Sequence, residues 1–189
     1  MPDLDRLERD LVFVRETVAG GGAPRSPATI YFLWALLVLV GFALVDVNEN
    51  RVGLYWMIAG PAGSLISVYL GWRDQREFGA VDFALGLRYA QHWGAMMVVI
   101  FLATLMPGRA LIAWDAFGPL VLLLLAMSYF HAGLYLDRPL RWVGLLLIGG
   151  YVMVLSVDAY AWTIVGVLVS AALIVVGFRE SQRRGVATA

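Results

Sequence analysis

The chain has 189 residues, 61% of them hydrophobic and only 15% charged, with a formal net charge of zero. A soluble domain carries about a quarter charged residues, so a soluble globular fold is excluded, and no bulk charge argues for nucleic acid. The chain has no cysteine, which removes disulfides, thiolate metal sites and thiol catalysis.

Residues 1–19 come first. "LDRLERDLVFVRETV" places Leu4, Leu7, Leu11, Val14 and Val18 at spacings of 3, 4, 3 and 4. That is the apolar seam of an amphipathic helix. Asp5 and Arg9 stand four apart and can pair. Two heptads are marginal for a helix on its own, so this arm is expected to lean on something. The inner membrane surface, a second copy of the chain and a cytosolic protein are the three partners considered. Its mixed charges weaken the first, because surface-lying helices are usually rich in Arg and Lys on their polar face. The first 25 residues hold no apolar core of a signal peptide, so no cleaved leader is expected. "GGGAPRSP" makes residues 20–27 a flexible linker.

From residue 28 the apolar residues come in runs of roughly 18 or more, the length that crosses a hydrocarbon core. A β-barrel would instead show short alternating segments. The expected fold is all-α: six transmembrane helices arranged as three consecutive hairpins within residues 28–178. The spans are placed near 28–45, 53–72, 81–106, 115–136, 140–157 and 159–178. Ser26 as N-cap and Pro27 at the first helical position start the first. A turn near Ser156, Val157 and Asp158 separates the last two. Residues 179–189 form a basic tail.

Arginine counting sets the orientation. With the N-terminus cytoplasmic, Arg6, Arg9, Arg15, Arg25, Arg73, Arg76, Arg138, Arg141, Arg179, Arg183 and Arg184 fall inside. Only Arg51 and Arg109 fall outside, and Arg88 lies within span three. Such an excess marks the cytoplasmic side. An integral inner-membrane protein with both termini cytoplasmic is expected.

Six of the seven Trp residues pair up: Trp34 with Trp56, Trp93 with Trp114, and Trp142 with Trp162. Each second Trp is followed four residues later by Gly60, Gly118 or Gly166, and twice Pro comes next, as Pro61 and Pro119. Hairpins one and three also end alike, in "GWRDQREFG" and "GFRESQRRG". Interfacial aromatic belts explain the Trp spacing. They do not explain the shared Gly-Pro or the tails, which read as a three-hairpin internal repeat. Each Pro removes a helix hydrogen bond and bends its span.

Polar residues inside spans default to functional candidates. The span centres carry no charge; Asp82, Arg88, His92, His131, Asp137, Arg138 and Arg141 fall in or near the inner leaflet. His92 lies about 6 Å deeper than Arg88 and His131 about 9 Å deeper than Asp137, at 1.5 Å per residue. On antiparallel spans the two imidazoles share a depth, with Met96 and Met127 one turn further in. His92, His131, Met96 and Met127 are the candidate set for a soft metal such as Cu(I). His92 and His131, with Arg88 near a propionate, are the set for haem b. The ordinary reading is favoured: Met fills gaps, and each His bonds a Tyr, Ser or carbonyl, with Tyr89, Ser128 and Tyr135 at helical spacing. Asp137 is expected to cap span five, with Pro139 in its first turn.

No HExxH, GxSxG or Gly-rich phosphate loop is present. The leading expectation is therefore a non-enzymatic sensor, regulatory or assembly subunit that uses residues 1–19 for interaction. A small-solute transporter or channel lined by Ser64, Ser67 and Thr104 is the alternative. A haem- or metal-binding membrane protein is the third.

Overall fold

A computed structural model describes residues 27–77 and 83–187. The amphipathic arm with Leu4, Leu7, Leu11, Val14 and Val18, the linker up to Ser26, and Asp82 lie outside them. The described residues are helical: α1 (Ala28–Val47), α2 (Glu49–Glu77), α3 (Phe83–Ala103), the single turn α4 (Leu105–Gly108), α5 (Trp114–Tyr135), α6 (Leu140–Ser156) and α7 (Ala161–Ala187). Five of the described helical segments are long and apolar enough to cross a membrane: α1, α2, α3 together with α4, α5 and α7. The sixth apolar helix, α6, has 17 residues, about 25 Å at 1.5 Å per residue.

Several boundaries differ from expectation for local reasons. Pro27 is the N-cap residue of α1, not its first helical residue. Asn48 alone separates α1 from α2; its N–H closes on Leu44 O, and its own carbonyl accepts from Arg51 N. The third span breaks at Thr104. Pro107 has no N–H to offer Ala103, and its ring crowds that carbonyl. Thr104 N is accordingly shared between Ile100 O and Phe101 O at 3.2 Å each, and its Oγ1 donates to Phe101 O at 2.6 Å. Residues 179–187, expected as a tail, continue α7 as helix. The expected break between the last two spans is present at Val157–Tyr160, where Tyr160 takes φ 55°.

In space the helices run α3, α5, α6, α7, α1, α2. The two most extensive contacts are α1 with α7 and α5 with α6. Both cross the boundaries of the expected hairpins. Small residues stand at both contacts, where they let the helices approach closely. A Cβ on Gly144 would stand 2.5 Å from Phe130 N, and one on Gly133 would stand 2.1 Å from Arg141 N. On the other pair, a Cβ on Gly166 would stand 2.7 Å from Phe42 Cβ.

The core follows helical spacing. Tyr31, Ala35, Val38 and Phe42 of α1 meet Val165, Val169 and Leu173 of α7. Val143 and Leu147 of α6 and Leu122 and Ala126 of α5 complete it. The paired Trp residues do not share one environment. Trp34 and Trp93 pack against this core, whereas Trp142 is exposed; Trp56 and Trp162 pack against it, whereas Trp114 is exposed.

Candidate functional site

His92 points from α3 onto α5. Its Nε2 lies 3.1 Å from the carbonyl oxygen of Ser128 and 3.0 Å from Ser128 Oγ. A carbonyl only accepts, so Nε2 donates to Ser128 O, and Nδ1 pairs with the Tyr135 hydroxyl. Ring contacts reinforce the docking. His92 and Tyr135 meet edge to face at 5.5 Å between centroids, and Trp93 meets Tyr129 in the same way at 5.0 Å. Ser128 and Tyr135 flank His131 by three and four positions, but it is His92 across the interface that takes both.

His131 is exposed on the neighbouring edge of that face of α5. Met96 is half-buried and Met127 is exposed. Arg88 is exposed one turn before His92. Among the described residues no three His, Asp or Glu side chains come together. Both ring nitrogens of His92 are already bonded, so ligating a metal or a haem iron through His92 would mean giving up Ser128 or Tyr135.

The His92 contacts hold a lightly packed helix. α3 meets its neighbour α5 over a far smaller surface than α1 meets α7. His92→Leu is therefore expected to loosen α3 alone, by about 1–2 kcal/mol for the lost bonds. Tyr135→Phe should give about half that. Hydrogen exchange in detergent checks this: faster exchange confined to residues 83–103 is expected, and unchanged exchange there would refute the role.

The remaining polar groups tie other helix pairs. Asp137 is buried and accepts from the Tyr31 hydroxyl of α1. This corrects the expected cap: α6 begins at Leu140 behind Pro139 with no side-chain cap bond, because the carboxylate of Asp137 is turned to α1. Asp46 Oδ2, at the end of α1, accepts from Thr163 N at 2.7 Å and Thr163 Oγ1 at 2.6 Å in the first turn of α7. Buried Ser170 Oγ donates to Ala35 O at 2.8 Å. Trp34 Nε1 donates to Ser67 Oγ at 3.0 Å, and Tyr55 Oη donates to Leu37 O at 2.8 Å. Of the candidate path-lining hydroxyls, Ser64 and Ser67 donate to the carbonyls of Gly60 and Gly63 on their own helix, and Thr104 to Phe101 O in the turn before it.

Sequence reasoning passed over Asp46, Thr163 and Ser170. Asp46 sits at a helix end, where charge is unremarkable, and its partner is 117 positions away. The only local signal was the carboxylate itself.

Comparison with protein families, with characterised proteins and with solved structures finds no match for this chain. The class defined by the fold is a helical bundle in which five described segments are long and apolar enough to cross a membrane, and the site adds a set of cross-helix polar clamps.

Proposed function

We propose that this chain is a non-enzymatic inner-membrane subunit, of sensor, regulatory or assembly type. It crosses the membrane six times with both termini cytoplasmic, and it engages its partner through the apolar seam of residues 4–18. The observation that carries this reading is how the described polar side chains are used. Asp46, Asp137, Ser170, Trp34, Tyr55 and His92 each bond across a helix pair. Buried polar groups satisfied in this way fix one arrangement of the bundle. A fixed bundle suits a platform that presents an arm.

Six spans are favoured by position. The short helix α6 packs against both α5 and α7, which are long enough to cross. Its two connections, at Arg138 and Asp158, leave from opposite ends of it. The arginine excess at the Arg76, Arg138 and Arg179 ends favours those ends as cytoplasmic. The recurring Trp, Gly and Pro positions are read as a threefold sequence repeat whose helices pack unequally.

Deletion of residues 1–20 tests the reading. The truncated chain should still insert, with unchanged protease and labelling patterns in its loops, and should lose an oligomer or partner crosslink seen with the full chain. Crosslinking and co-purification that are the same with and without the arm would overturn it.

A further inference from the structure

The first turn of α6, with Pro139 before it, and residues 171–180 of α7 border an open-sided groove of about 460 Å³. Its walls are hydrocarbon: Val143 from α6, and Ala171, Ala172, Val175 and Val176 from α7. The two alanines give it depth. One end is different in kind. There Pro139, Trp142, Arg179 and Glu180 line it. The guanidinium of Arg141 lies 5.2 Å from the Trp142 ring centroid, and Arg138 immediately precedes Pro139.

The charges at this end are sorted by burial. Glu180 is 7% exposed and Asp137 5% exposed. Asp137 is engaged by Tyr31, and Glu180 is not without a partner. The carboxylates are thus buried, although Glu180 still borders the groove, while Arg138, Arg141 and Arg179 are exposed. Trp142, 62% exposed, stands where an aromatic ring sits at headgroup level.

An apolar trough with the exposed guanidinium of Arg179 at one end, and that of Arg141 beside the lining ring of Trp142, fits an amphiphile with an anionic head. Basic pockets between membrane helices select anionic headgroups, and guanidinium offers phosphate a bidentate fork. We infer that this groove binds an anionic phospholipid, with one acyl chain against Ala171, Ala172, Val175 and Val176 and the headgroup phosphate at Arg179 and Arg141. The inference needs α6 and α7 to lie in a bilayer and does not depend on the role of the N-terminal arm.

Native mass spectrometry of the delipidated full chain in detergent is the test. Three probes are titrated: phosphatidylglycerol, phosphatidylcholine with the same acyl chains, and inorganic phosphate alone. Phosphatidylglycerol should bind about tenfold more tightly than phosphatidylcholine. Arg141→Gln and Arg179→Gln should each weaken phosphatidylglycerol about fivefold and weaken phosphatidylcholine, whose phosphate is offset by its own trimethylammonium, by less. Ala172→Phe, which fills the trough, should weaken both lipids. Arg51→Gln, the same charge change elsewhere, should alter nothing. Equal binding of the two lipids would overturn the proposal, as would arginine variants that bind like the parent. Inorganic phosphate competing as well as the lipid would also overturn it, since that describes an anion site without a chain groove. Should a variant lose its helical spectrum, the comparison of the two lipids on the parent chain still decides.

Discussion

Gly144→Val is expected to push α5 away from α6 and destabilise the bundle strongly. The reason is backbone against backbone. A Cβ at Gly144 meets Phe130 N at 2.5 Å, Phe130 Cα at 2.7 Å and Ala126 O at 2.9 Å. None of these atoms belongs to a side chain that can rotate away. Overpacking of this kind costs about 1–3 kcal/mol and sometimes more, and here it falls on one of the two most extensive contacts. Even Gly144→Ala should destabilise, although alanine gains about 1 kcal/mol over glycine in helix propensity. Gly149 is the control. It lies on the same helix with nothing within 4 Å of a built Cβ, so Gly149→Ala should be neutral or stabilising. Thermal unfolding in detergent separates the two. A Gly144→Ala protein as stable as Gly149→Ala would show that α5 and α6 do not pack this closely.

Asp46→Ala is expected to cost about 1.5–3 kcal/mol, the range for hydrogen bonds to a charged group. It removes two hydrogen bonds at once, from the backbone N–H and the hydroxyl of Thr163 to one carboxylate oxygen. The first of these also serves as a borrowed N-cap for α7, and losing an N-cap alone costs about 1 kcal/mol. Thr163→Val keeps the backbone bond and should lose about half as much. A double-mutant cycle checks the coupling, because residues that share a bond are non-additive. Additive effects would mean that the clamp between α1 and α7 does not form.

The sequence carried the apolar helices and their approximate bounds because apolar length is a one-dimensional signal. Runs such as "IYFLWALLVLVGFALV" are legible without knowing their neighbours. Breaks were legible where a residue forces them: the turn at Ser156–Asp158 was expected and is present. Pro107 was as visible as Pro61, but its effect four residues upstream at Ala103 was not foreseen. Pairing between helices was much less legible. The recurring Trp residues suggested hairpins of sequence neighbours, whereas the closest pairs are set by Gly133, Gly144, Gly166 and Ser170. Small residues signal close approach without saying to which helix. At the site, Ser128 and Tyr135 were recognised as hydrogen-bond partners for a histidine, but by spacing along α5 they pointed to His131. Across the interface they serve His92. Side-chain bonds between distant positions, such as Asp46 to Thr163 or Tyr31 to Asp137, leave no local pattern at all.

The platform reading depends on a bundle that crosses six times and returns both ends to one side, and the cysteine-free chain makes that directly measurable. Single cysteines at Asp3, Arg76, Arg138 and Ser181 report the arginine-rich side, and those at Asn50 and Asp158 report the other. With a membrane-impermeant maleimide on sealed vesicles, the first four should label from one face only and the last two from the opposite face only. Asp158→Cys labelled from the same face as Ser181→Cys would contradict the account, because α7 would then not cross the membrane between them.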